Sequence, residues 1–112
     1  MKELLENADE FLIAGVENLA KSRYNVAASD FFKSIVIFCD YLIYYQIKRL
    51  PKNHNDRFNL LNIYFKDIYE TVSNLFKVYV DSYNLKMKKG DVIKLQHYAN
   101  ELKRIVNNQK KV

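Results

Sequence analysis

The segment from residue 49 to residue 57 carries the side chains of this sequence that are best suited to chemistry. It reads RLPKNHNDR and contains three cations, Arg49, Lys52 and Arg57, together with the imidazole of His54. Arginine and lysine bind phosphate oxygens, and histidine moves protons near neutral pH. The segment therefore predicts a phosphate-binding site. The alternative is an exposed loop in which these residues are merely polar.

A second polar group interrupts the most apolar stretch of the sequence. Residues 31–47 read FFKSIVIFCDYLIYYQI and contain Lys33 and Asp40. At helical spacing these two residues and Asp30 form a polar seam along one side of a helix. Asp30 and Lys33 are spaced to pair locally, whereas Asp40 requires a partner, or faces water or a second subunit. A structural role is the preferred interpretation of this seam.

Patterns that define most enzyme classes are missing from the sequence. It has no glycine-rich phosphate loop, and one cysteine with two distant histidines, His54 and His97, does not form a recognisable metal site. We therefore predict no metal and no cofactor. Five tyrosines are candidates for stacking on nucleic-acid bases or, alternatively, for the core or an interface: Tyr41, Tyr44, Tyr45, Tyr79 and Tyr83.

The elements that position these residues are all predicted to be helices. The sequence has only two glycines and one proline, too few for a turn-rich β fold. Apolar residues recur at helical spacing in four segments: 2–22, 26–48, 57–86 and 91–106. A break at Lys66-Asp67, with Asp67 as a cap, would divide the third segment. The expected fold is all-α, an up-and-down antiparallel bundle of four to five helices, with residues 1–112 forming one domain.

Capping residues predict where these helices begin and end. The expected N-terminal caps are Asn25 for the second helix, one of Asn53, Asn55 and Asp56 for the third, and Asp91 for the fourth. Gly90 is expected to end the third helix, and residues 107–112 are expected to fray.

The second helix is expected to lie at the centre of the bundle, since it is apolar around most of its circumference. Ile35, Phe38 and Leu42 lie on the side away from the polar seam, so we predict that they are almost fully buried. Gly15 falls on the apolar stripe of the first helix, where it would allow the second helix to approach closely.

Charge and cysteine content narrow the class of protein further. The net charge is +5, and the excess of basic residues lies in residues 31–112, which permits contact with phosphates. A solvated lysine surface is the alternative.

Cys39 cannot form an internal disulfide and is predicted to be a buried, reduced thiol. The acidic, amphipathic start MKELLENADE is unlike a signal peptide. A cytoplasmic protein without a membrane partner is expected.

Residues Phe11–Asn62 resemble a HEPN domain, the small helical domain named for higher eukaryotes and prokaryotes nucleotide binding. The resembling segments are FLIAGVENLAKSRYNVAASDFFKSIVIFCDYLIY and LPKNHNDRFNLLN. The continuation FKDIYETVSNLFKVYVDSY is similar to small archaeal members of the group. The resemblance implies an up-and-down bundle and a homodimer. It also implies a partner of the minimal nucleotidyltransferase type, as in a toxin–antitoxin pair.

Some HEPN proteins are ribonucleases that use an arginine and a following histidine, and Arg49 and His54 have the required spacing. However, Leu50 is apolar where the family has a polar residue, and Pro51 places the pair in a loop rather than on a later helix. We therefore predict that the protein has no catalytic residues.

The sequence thus predicts a HEPN-like, non-catalytic module that binds a nucleotide, a nucleic acid or a minimal nucleotidyltransferase. Its expected phosphate-binding residues are Arg49, Lys52, His54 and Arg57. The alternatives are a metal-independent ribonuclease that uses Arg49 and His54, and a purely structural bundle for protein interaction.

Overall fold

A computed structural model of the chain describes residues 1–110, which form five α-helices. The helices are α1 (Lys2–Ala20), α2 (Tyr24–Ile47), α3 (His54–Tyr64), α4 (Lys66–Asp81) and α5 (Lys89–Lys110). No strand occurs in the described residues, so the predicted all-α bundle of four to five helices is confirmed. None of these helices is long and apolar enough to cross a membrane.

Helix α2 is the centre of the bundle and packs against each of the other four helices. The residues predicted to be buried on it are confirmed: Ile35 is 0% exposed, Phe38 1% and Leu42 2%. A helix with neighbours on several sides must be apolar around most of its surface. This requirement explains why residues 31–47 contain so few polar side chains.

Helices α1 and α2 run antiparallel, as their hydrogen bonds show. Near the start of α1, the Ala8 carbonyl accepts a hydrogen bond of 2.8 Å from the buried Ser34 hydroxyl. Near its end, the Asn18 side chain donates at 2.9 Å to Asp30. Residues later in α1 therefore meet residues earlier in α2. The prediction that Gly15 allows close approach is also confirmed, since a Cβ atom there would lie 2.5 Å from the Phe31 ring.

Replacing Gly15 by alanine is expected to lower the free energy of unfolding by about 1–3 kcal/mol, because the new methyl group overlaps Phe31. A matched control exists in Gly90, where an added Cβ meets no atom within 4 Å. Gly90→Ala should be neutral or should stabilise the protein by up to about 1 kcal/mol. Urea unfolding of both variants measures the difference, and equal stability of the two would contradict the close packing of α1 on α2.

The predicted helix over residues 57–86 is divided into two helices, α3 and α4, as the predicted break near Lys66-Asp67 allowed. The break lies at Phe65, whose backbone is not helical (φ −141°, ψ 62°), one residue before the predicted position. Asp67 does not cap α4 and lies instead in its first turn, where a carboxylate still favours the helix dipole. The break lets α4 fold back against α3.

Several predicted helix ends are wrong by a few residues. Helix α1 ends at Ala20 rather than at residue 22. Helix α4 ends at Asp81, so Gly90 does not end it and lies with Asp91 in the first turn of α5. The expected fraying after residue 106 is not seen up to residue 110, because α5 continues to there. Residues 111–112 lie outside the described part of the chain.

One predicted N-terminal cap, for α3, is confirmed, and another, for α2, is wrong. Asn53 is the cap of α3, since its side-chain oxygen accepts a hydrogen bond of 2.9 Å from the backbone N–H of Asp56. Asn25 does not cap α2, which begins one residue earlier, at Tyr24. Its side chain instead makes contacts with a distant loop, which outweigh the local capping tendency.

The side chain of Asn25 holds the loop between α4 and α5 against the start of α2 by three hydrogen bonds. Its side-chain nitrogen donates to the carbonyls of Ser82 and Leu85, both at 2.8 Å. Its side-chain oxygen accepts from the backbone N–H of Met87 at 2.9 Å. One side chain therefore satisfies three backbone groups of a loop that has no regular structure of its own.

Candidate functional site

A groove of about 580 Å³ lies where α1, α2 and α4 meet the beginning of α3. This volume is typical of a small-molecule site. Its lining residues on α1 and α2 are Phe11, Phe32, Lys33, Val36 and Ile37. Those on α3, its cap, α4 and the turn after α4 are Asn53, His54, Arg57, Phe76, Tyr79, Val80 and Tyr83. We call it the aromatic groove, since half of these side chains are aromatic rings.

One wall of the aromatic groove is a row of rings. Phe32 stacks on Tyr79, with ring centroids 4.5 Å apart and planes only 8° from parallel. Tyr83 meets Tyr79 edge to face at 5.4 Å and is itself 69% exposed. The inner rings are therefore fixed by packing, while the Tyr83 ring is open to a ligand.

The hydroxyl groups of this wall are also ordered. Tyr83 donates a hydrogen bond of 2.9 Å to the Tyr79 hydroxyl. This bond is the main reason that the pKa of Tyr83 is raised, although the nearby Lys33 ammonium opposes the shift. Because Tyr79 accepts from Tyr83, the Tyr79 hydrogen remains available to a ligand.

Lys33 is the exposed cation of the aromatic groove. Its ammonium lies 5.5 Å from the centre of the Phe11 ring, within range of a cation–π contact. Across residues 1–110 it forms no ion pair, so the predicted local pair of Asp30 with Lys33 is not formed. Asp30 accepts from Asn18 of the neighbouring helix instead. Lys33 is therefore free to face an anion.

Asp40 has the partner that its apolar surroundings require, and the partner is Arg57. The guanidinium donates from Nε at 2.6 Å and from Nη2 at 2.9 Å to the two carboxylate oxygens. The side chains are only 15% and 12% exposed. This two-point ion pair joins α2 to α3, so the charge of Arg57 is largely neutralised within the protein.

The same arginine selects the ring tautomer of His54. Arg57 Nη1 lies 2.8 Å from His54 Nδ1. A guanidinium can only donate, so Nδ1 accepts and the imidazole proton is on Nε2. The Asn53 side-chain oxygen is likewise occupied by its capping bond, which leaves its amide hydrogens free. The rim of the groove therefore presents hydrogen-bond donors.

The four residues that the sequence predicted to bind phosphate together do not all lie in one site. His54 and Arg57 line the aromatic groove, whereas Arg49 and Lys52 do not. Arg49 donates at 2.9 Å to Asp56, and the backbone N–H of Lys52 donates to the same carboxylate at 2.9 Å. The hydrogen bond from Arg49 is the main cause of a lowered pKa of Asp56. Arg49 is therefore engaged by a carboxylate outside the groove.

The five candidate tyrosines are also divided. Tyr79 and Tyr83 line the groove, and their spacing of four residues in the predicted helix over 57–86 was the available signal. Tyr41 and Tyr45 form a separate ring pair, with centroids 6.3 Å apart. That Lys33 and Tyr83 line the same groove could not be read from the sequence, because it depends on how α4 and the turn after it pack on α2.

Two other kinds of chemistry find no support in residues 1–110. No group of three or more histidine, cysteine, aspartate or glutamate side chains is placed to hold a metal ion there. Cys39 is fully buried, and burial is the main cause of a raised pKa of its thiol, so it is not an activated nucleophile.

Comparisons with protein families, with curated proteins and with solved structures gave no match.

Proposed function

We propose that this protein is a HEPN-like, non-catalytic module that binds a nucleotide in the aromatic groove. The observation that carries the proposal is the combination, in one groove, of an exposed aromatic ring with a free cation and a donor-rich rim. Among residues 1–110, no carboxylate lines the groove. A nucleotide offers the matching parts, a flat base and an anionic phosphate.

The proposed ligand has a defined orientation. Its base packs on the exposed face of Tyr83, and its phosphate lies near Lys33. His54 Nε2 and the Tyr79 hydroxyl donate to the sugar or to the phosphate. Stacking of a base on an aromatic side chain contributes about 1–3 kcal/mol, and hydrogen bonds from a cation to phosphate are stronger than neutral ones.

The arrangement around Arg49 and His54 supports a non-catalytic role. The alternative, a metal-independent ribonuclease, needs both side chains free to act on one phosphate. Arg49 is held by Asp56, and His54 Nδ1 accepts from Arg57. The other alternative, a purely structural bundle, predicts no ligand at all. A homodimer and a minimal nucleotidyltransferase partner, which the resemblance implies, stay predictions.

Tyr83→Ala and Lys33→Ala are each expected to weaken nucleotide binding about tenfold or more, through loss of the stacking surface and of the free cation. Isothermal titration with each of the four nucleoside monophosphates measures the change. Matched controls are Tyr64→Ala, which removes another exposed tyrosine, and Lys77→Ala, which removes another exposed lysine. Neither control residue lines the groove.

Both controls should keep the wild-type affinity within about twofold. The proposal fails if no nucleotide binds at millimolar concentration, or if Tyr64→Ala weakens binding as much as Tyr83→Ala does. Circular dichroism spectra of all four variants check that they remain folded.

A further inference from the structure

A second concave surface lies between the α1–α2 turn and the loop that joins α4 to α5. It encloses about 340 Å³ and is lined by Arg23 and Lys86, together with Ser22, Asn25 and Met87. We call it the basic cleft. It shares no lining residue with the aromatic groove, so its properties do not depend on the function proposed for that groove.

The two sides of the basic cleft are fixed by hydrogen bonds. The three bonds of Asn25 hold the loop from Ser82 to Met87 against the start of α2. The Met87 side chain is buried, which anchors the loop further. On the other side, the Arg23 N–H donates to Asn18 at 2.9 Å, and its carbonyl accepts from Ala27 at 2.9 Å. The cleft is therefore preformed.

The charge of the basic cleft is not compensated. Arg23 and Lys86 are exposed, and so are their sequence neighbours Lys21, Lys88 and Lys89. None of these five cations forms an ion pair within residues 1–110, and no carboxylate lines the cleft. Cations gathered without counter-charges repel one another, and a bound anion relieves that repulsion.

The three arginines outside the basic cleft, by contrast, are each paired with a carboxylate. Arg49, Arg57 and Arg104 each donate to a carboxylate, at 2.9, 2.6 and 2.5 Å respectively. Arg23 has no such partner among the described residues, although its backbone is firmly held. A guanidinium on a fixed backbone beside a lysine matches a tetrahedral phosphate, because its fork can donate to two oxygens.

We propose that the basic cleft is a phosphate-binding site. The Arg23 guanidinium and the Lys86 ammonium donate to the phosphate oxygens from opposite sides of the cleft, and the Ser22 hydroxyl lines the same space. The phosphate group can belong to free inorganic pyrophosphate or polyphosphate, or to the phosphodiester backbone of a nucleic acid. Both sources present the same oxygens to the cleft.

The test is a titration of ¹⁵N-labelled protein, followed by amide chemical shifts. One arm uses pyrophosphate, and the other uses a single-stranded thymidine oligonucleotide. At least one arm should give saturable shifts at residues 22–26 and 85–89, in addition to any shifts that the oligonucleotide causes in the aromatic groove. Shifts with pyrophosphate identify phosphate itself as sufficient, whereas shifts with the oligonucleotide alone identify the phosphodiester chain.

The variant Arg23→Gln/Lys86→Gln should weaken this binding about tenfold or more, because both direct donors are lost. Lys77→Gln/Lys94→Gln removes the same charge elsewhere and should change the affinity by less than about threefold. The proposal is overturned if neither probe shifts residues 22–26 and 85–89, or if the two double variants weaken binding equally. Lys33→Ala removes a cation of the groove that does not line the cleft, and it should leave the shifts at residues 22–26 and 85–89 unchanged. Failure of the cleft and failure of the groove are therefore distinguishable.

Discussion

Replacing Ile35 by alanine is expected to lower the free energy of unfolding by about 2–5 kcal/mol. Ile35 is fully buried on α2, the helix against which all the others pack. Its truncation removes apolar contacts and leaves a cavity that the surrounding helices cannot fully close. Urea unfolding followed by circular dichroism measures the change as a lower midpoint.

A matched control is Ile13→Ala on α1, because Ile13 is 58% exposed. This variant should change stability by no more than about 0.5 kcal/mol, apart from a small gain in helix propensity. If Ile35→Ala were as stable as Ile13→Ala, α2 would not be the centre of the core.

Replacing Arg57 by alanine is expected to lower the free energy of unfolding by about 3 kcal/mol. The substitution leaves Asp40 without its two-point partner in a site that is only 15% exposed. Loss of one partner from a buried ion pair is costly, because the other charge stays desolvated. Thermal unfolding should therefore show a melting temperature lower by roughly 10–20 °C.

The exposed pair of Arg49 with Asp56 supplies the control for this prediction. Its side chains are 46% and 22% exposed, so water screens the charges. Arg49→Ala should cost less than about 1 kcal/mol. Arg57→Lys should fall between the two, since it keeps the charge but loses the fork. Equal melting temperatures for Arg57→Ala and Arg49→Ala would refute the structural role of the pair of Asp40 with Arg57.

The helices could be predicted from the sequence because apolar spacing is set by which faces are buried. The same spacing placed Ile35, Phe38 and Leu42 in the core. Helix ends were harder, because they depend on competition between local and distant partners. Asn25 has the side chain of a cap, yet three backbone groups of the α4–α5 loop occupy it.

The candidate site was only partly predictable for the same reason. The sequence singled out His54 and Arg57 as residues of one loop, and both line the groove. It could not show that Asp40 neutralises Arg57, since the two residues lie on different helices. Lys33, assigned to a structural seam, lines the groove and has no ion-pair partner within residues 1–110, since its expected partner Asp30 accepts from Asn18.

We propose that a nucleotide base packs on Tyr83 in the aromatic groove. Isotope-filtered nuclear Overhauser spectra of the ¹⁵N,¹³C-labelled protein with saturating AMP test it directly. We expect cross-peaks from the adenine protons to the Tyr83 ring, with weaker ones to the Tyr79 ring. Cross-peaks from adenine only to residues outside the groove, or none at saturating AMP, would contradict the account.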